Sequence, residues 1–98
     1  MAVQIFRMND CDWYAAESLQ DALACMAEEL GFATTLEGIA EMREEFGVDD
    51  PQALSEEEMR QTPFLEEESG TQCNFRRALD VLISTGEKFP CSFATTEC

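Results

Sequence analysis

The sequence contains no histidine and a single lysine, Lys88, so residue types on which many active sites depend are nearly missing. Without histidine, neither a Ser–His nor a Cys–His nucleophile pair can form. A GxGxxG sequence, a Walker phosphate-binding loop and an HExxH motif are also absent. Carboxylates can pair as acid and base, but 21 of the 98 residues are acidic, so such pairs arise by chance. We therefore expect a protein that is not an enzyme, with no catalytic residue and no cofactor.

The five cysteines are widely separated and include no CxxC pair; they are Cys11, Cys25, Cys73, Cys91 and Cys98. Because the chain has no histidine, a zinc site would need four of these scattered thiols. The first residues, MAVQIFRM, lack the long apolar run of a signal peptide. No stretch approaches the length of a membrane span. We expect reduced thiols, no metal site and a cytoplasmic location.

Two stretches predict strands near the N-terminus. Residues 2–8 and 12–16 are rich in β-branched and aromatic residues, and Asn9-Asp10 between them is a turn signal. This combination predicts a β-hairpin. Near the C-terminus, residues 89–96 alternate strictly between two faces, which predicts a third, half-buried strand that starts at an edge because of Pro90.

Helical signals fill the region between these strands. Residues 18–31 carry an apolar stripe with Ser18 as N-cap, and residues 74–86 carry an equally clear one. Residues 34–47 predict a helix with Thr34 and Glu37 as a capping box and Leu36 on the apolar face. Gly38 lowers the stability of this helix by about 1 kcal/mol relative to alanine at the same position. A short helix follows Ser55, whose capping box is completed by Glu58, and it ends before Pro63.

The order of these elements predicts the fold class. The most economical assembly is an α+β domain of two layers, in which a three-stranded antiparallel sheet is packed by three to four helices. The sheet consists of the N-terminal hairpin and the C-terminal strand. We expect residues 1–98 to form a single acidic domain, because a chain of this length buries one modest core.

The two ends of the chain carry a resemblance. FRMNDCDWYAAE at residues 6–17 and FPCSFATTE at residues 89–97 resemble a group of short, acidic, uncharacterised proteins of bacteria and their phages. Members of that group share an FRMND-x-[DE]-[WY] hairpin, an acidic middle and a closing FP-x-x-FA-[ST]-TE strand. The resemblance implies a prokaryotic or phage origin, an anti-CRISPR-like setting and a compact α+β fold. It implies no activity and no functional residue.

The charge of the chain is strongly unbalanced, with 21 acidic and 6 basic residues and a net charge of −15. Residues 37–68 contain twelve acids and two bases, Arg43 and Arg60. This stretch therefore carries a net charge of −10, two thirds of the total. We name these twelve acids as candidate partner-binding residues: Glu37, Glu41, Glu44, Glu45, Asp49, Asp50, Glu56, Glu57, Glu58, Glu66, Glu67 and Glu68. No D-x-[DN]-x-[DN]-G calcium loop occurs among them.

Two interpretations of this acidic stretch remain open. A solvated face that keeps a small protein soluble is the most common use of a charge run. A second is a nucleic-acid-mimicking surface that binds a basic, nucleic-acid-binding host effector, with a CRISPR–Cas component favoured. The protein would then be a phage-type inhibitor in the bacterial cytoplasm, and its charge disfavours direct contact with nucleic acid or membranes. The alternative function is a structural or adaptor protein that self-associates, as a homodimer, through its sheet.

Overall fold

The computed structural model describes residues 3–65 and 72–95. Its elements in chain order are β1 (Gln4–Arg7), β2 (Asp12–Ala16), α1 (Leu19–Glu29), α2 (Leu36–Phe46), β3 (Gln52–Ala53), α3 (Glu56–Gln61), β4 (Pro63–Leu65), β5 (Gln72–Asn74), α4 (Phe75–Ser84) and β6 (Cys91–Thr95). The chain divides into two compact units. Unit 1 contains residues 1–53 and 89–98, and unit 2 contains residues 54–88. The mixed α+β class is confirmed, whereas the single domain over residues 1–98 stays a prediction.

A four-stranded antiparallel sheet in the order β3-β1-β2-β6 forms the base of unit 1. The predicted hairpin is confirmed, with Phe6 opposite Tyr14. Asn9 closes its turn, since the side-chain oxygen accepts hydrogen bonds from the backbone N–H groups of Cys11 and Asp12, both at 2.8 Å. The predicted C-terminal strand lies beside β2. The prediction of three strands was wrong by one, because the two-residue strand β3 pairs with β1.

The core of unit 1 lies between the sheet and helices α1 and α2. From the sheet, Phe6, Met8 and Tyr14 are buried, and Met26 and Met42 meet them from α1 and α2. Burial of large apolar side chains is the main favourable term in folding, at about 25 cal/mol for each Å² removed from water. This core therefore fixes how both helices lie on the sheet.

The predicted caps are observed at Ser18 and Ser55 but not at Thr34. Ser18 accepts a hydrogen bond from the backbone N–H of Asp21, and Asn74 caps α4 in the same way by accepting from the N–H of Arg77. The N-cap of α2, however, is Thr35, which accepts from the N–H of Gly38 at 3.1 Å. The predicted capping box of Thr34 with Glu37 was therefore wrong by one residue. Leu36 becomes the first helical residue and is 83% exposed, instead of lying on the apolar face.

Unit 2 combines helices α3 and α4 with the two-stranded antiparallel sheet of β4 and β5. Phe64 and Phe75 contact each other edge to face, with ring centroids 6.0 Å apart. Met59, Phe75 and Leu79 are buried, which anchors both helices. The strand pair was not predicted from the sequence. The predicted acidic loop at residues 66–71 lies outside the described residues.

The cysteines differ from one another in redox state. Cys25, Cys73 and Cys91 are reduced thiols, as expected. Cys11 is disulfide-bonded, so the prediction that all five cysteines are reduced was wrong at this position. Within residues 3–65 and 72–95, every helix is too short or too polar to cross a bilayer.

Candidate functional site

The structure divides the candidate acidic residues between the two units. Nine of the twelve lie in the described part of the chain, and all nine side chains are exposed. Unit 1 holds six of them: Glu37, Glu41, Glu44, Glu45, Asp49 and Asp50. Unit 2 holds three: Glu56, Glu57 and Glu58. The remaining candidates, Glu66, Glu67 and Glu68, lie outside the described residues.

Helix α2 brings four of these acids to one side. Glu37, Glu41, Glu44 and Glu45 follow the spacing i, i+4, i+7 and i+8 within α2. At 3.6 residues a turn this spacing places all four on one face, and the row is about 12 Å long. We call these four residues the α2 acidic face. Its carboxylates form a continuous strip of negative charge on unit 1.

The opposite side of α2 is fixed to the core, which sets the direction of the acidic face. Met42 is fully buried and Ile39 is partly buried against the same core. Gly38 is buried, and a β-carbon built there would lie 2.1 Å from the carbonyl oxygen of Ala33. Only glycine allows the preceding loop to approach this closely. The residue that weakens the helix in isolation is therefore required by its packing.

No cation neutralises the α2 acidic face within the described residues. The ion pairs found there join Arg7 to Asp10 and Arg76 to Glu56 and Asp80. Arg43, the one basic residue of α2, is directed to the loop after the helix. Its Nε donates to the carbonyl of Val48 at 2.9 Å, and its Nη2 donates to the carbonyl of Asp49 at 3.3 Å.

A shallow depression of about 460 Å³ adjoins the α2 acidic face. It is lined by Phe32 and by Glu41, Glu44 and Glu45. Phe32 is half-buried and contacts Phe46 edge to face, with centroids 6.0 Å apart and ring planes at 88°. Sequence analysis did not single out Phe32, because it lies between α1 and α2 outside any periodic pattern.

The acids of α3 differ because each has a partner in unit 2. Glu58 closes the predicted capping box, with its Oε1 accepting from the N–H of Ser55 at 3.1 Å. Glu57 accepts from the side-chain amide of Gln61 at 3.3 Å. Glu56 forms an ion pair with Arg76 at 2.8 Å. These three carboxylates stabilise the local structure of α3.

Arg76 connects the two helices of unit 2. From α4 its guanidinium reaches Glu56 of α3 and Asp80 on its own helix. The hydrogen bond that Arg76 donates to Asp80 raises the pKa of Arg76 above its usual value, although burial acts in the opposite direction. Arg76 therefore offsets the charge of two nearby acids of unit 2.

The contact of the buried Tyr14 with the exposed Glu29 is a polar contact at the edge of the core of unit 1. The Tyr14 hydroxyl donates to Oε2 of Glu29 at 2.6 Å. Burial raises the pKa of Tyr14 well above its usual range, and the hydrogen bond and charge of Glu29 raise it further. Burial likewise raises the pKa of the nearby Cys25 to about 11, again with Glu29 contributing. At neutral pH Cys25 is therefore a protonated thiol, which is a weak nucleophile.

The alternative function requires an apolar patch on the sheet. An uncovered sheet face would expose Phe6, Met8 and either Tyr14 or Trp13. In the structure Phe6, Met8 and Tyr14 are buried, and Trp13 is half-buried. Ile5 and Ala15, which point to the other side of the hairpin, are fully buried as well. These described sheet residues therefore leave no large apolar patch for self-association.

Neither a protein-family model, nor a curated protein, nor a solved structure matches the chain. In the ranges 3–65 and 72–95, no group of three or more Cys, Asp or Glu residues has the arrangement of a metal site. The α2 acidic face and its surroundings are therefore the candidate functional site.

Proposed function

We propose that this protein binds a basic, nucleic-acid-binding protein through the α2 acidic face and thereby competes with nucleic acid for it. The observation that carries the proposal is the row of four exposed carboxylates on a helix whose other side is fixed to the core. A rigid strip of negative charge presents acceptors to Lys and Arg side chains much as a phosphate backbone does.

The electrostatics of the chain favour this mode of association. A net charge of −15 attracts cationic surfaces over a distance and repels nucleic acid itself. Charge complementarity raises association rates and excludes partners of the same sign. Inhibition of a host CRISPR effector by a phage-type protein is the finer form of the proposal.

A capture experiment tests the proposal. The tagged protein is incubated with nuclease-treated bacterial lysate, and bound proteins are eluted with duplex DNA at constant ionic strength. We expect nucleic-acid-binding proteins to be captured and then released by DNA, since the two compete for one basic surface. Proteins that stay bound when DNA is added would contradict the proposal.

Matched variants assign that capture to the helix. Replacing Glu37, Glu41, Glu44 and Glu45 with glutamine removes the charge of the α2 acidic face and keeps a similar helix propensity. The control removes four acids elsewhere, with Glu17, Asp21, Glu28 and Glu87 changed to their amides. We expect the first variant to lose capture and the control to keep it. If both variants lost capture equally, the net charge of the protein alone would account for the binding.

A further inference from the structure

We draw no further inference here: the strongest candidate, the exposed apolar side chains of Val81 and Ile83 in the last turn of α4, carries none, because nothing in the described part of the structure shows what covers them.

Discussion

Helices α2 and α3 both present several exposed glutamates, yet the two sets differ in what surrounds them. On α3, Glu56 and Glu58 are held by Arg76 and by the backbone of Ser55. On α2, no described cation approaches Glu41 or Glu44. Composition does not distinguish these sets, because each is a run of acids in a helix. The contacts do, and they separate acids that stabilise their own helix from acids that remain available to a partner.

This difference changes how the acidic surface should be tested. Reversing the charge of Glu56, Glu57 and Glu58 is an obvious experiment from the sequence alone. In the structure it would break the capping box of Ser55 and the ion pair with Arg76. A loss of binding would then be confused with damage to α3. The four residues of the α2 acidic face have no such contacts and are the better targets.

The largest expected effect concerns the attachment of α2. We predict that Gly38→Ala lowers the free energy of unfolding by about 3 kcal/mol, because a β-carbon would collide with the carbonyl of Ala33. Urea denaturation measures this change. The control Ala40→Gly, on the exposed side of the same helix, should cost about 1 kcal/mol. Stabilisation by Gly38→Ala, as helix propensity alone would give, would contradict the close approach.

The next effect concerns Asn9, which joins the hairpin turn to the end of α2. Its Nδ2 donates to the carbonyl of Phe46 at 2.8 Å, in addition to its two contacts within the turn. We predict that Asn9→Ala lowers the free energy of unfolding, measured by urea denaturation, by about 2 kcal/mol, because three hydrogen bonds of modest net strength are lost. Asn9→Asp keeps the acceptors of the turn and should cost less. Equal costs would mean that the two hydrogen bonds within the turn contribute nothing, and no cost for Asn9→Asp would mean the same of the bond to Phe46.

A pair of single substitutions compares the two sets of acids directly. Glu58→Ala should lower the free energy of unfolding by about 1 kcal/mol, because the N–H of Ser55 loses its partner. Glu44→Ala should change it by less than about 0.5 kcal/mol, as expected for an exposed side chain without contacts. Chemical denaturation of both proteins checks this. A larger cost at Glu44 would remove the distinction between the helices.

The smallest effect is a pH dependence from Tyr14, whose partner Glu29 is an acid with a structural contact in unit 1. The pKa of Tyr14 is raised in the folded protein. Its contribution to the free energy of unfolding is therefore complete below the usual pKa of 10 and is lost as the pH rises above that value. We predict that the free energy of unfolding falls by about half a kcal/mol between pH 8 and pH 10. Tyr14→Phe should flatten this slope.

The titration of Tyr14 can be followed by phenolate absorbance, because the chain has a single tyrosine. In the folded protein the phenol should remain protonated at pH 10. Ionisation with a midpoint near pH 10 would contradict the burial of Tyr14 and its hydrogen bond to Glu29.

Local signals account for the parts of the fold that were predicted from the sequence. Ser18, Ser55 and Asn74 cap helices through bonds to residues three positions away, so the sequence contains both partners. The hairpin turn at Asn9 is local in the same way. The capping box predicted at Thr34 failed because Thr35 beside it competes for the same role.

Features that depend on distant residues were not predictable. Strand β3 has two exposed residues and exists only because β1 provides an unpaired edge. The need for Gly38 arises from the approach of Ala33, outside the helix. For the candidate site, the charge run identified the acids, but Arg76 lies twenty residues from Glu56 in sequence. Sequence alone therefore could not show which acids have partners.

The central claim is that the acids of α2 bind a partner and those of α3 stabilise the fold. The most direct measurement compares the DNA-releasable capture of two variants at equal concentration of folded protein. In the first, the four glutamates of the α2 acidic face are changed to glutamine. In the second, Glu56, Glu57 and Glu58 are changed to alanine, which removes the side chain that completes the capping box. We predict that the α2 variant loses capture with its stability unchanged, and that the α3 variant keeps capture with its stability reduced. Capture kept by the α2 variant and lost by the α3 variant would contradict the account.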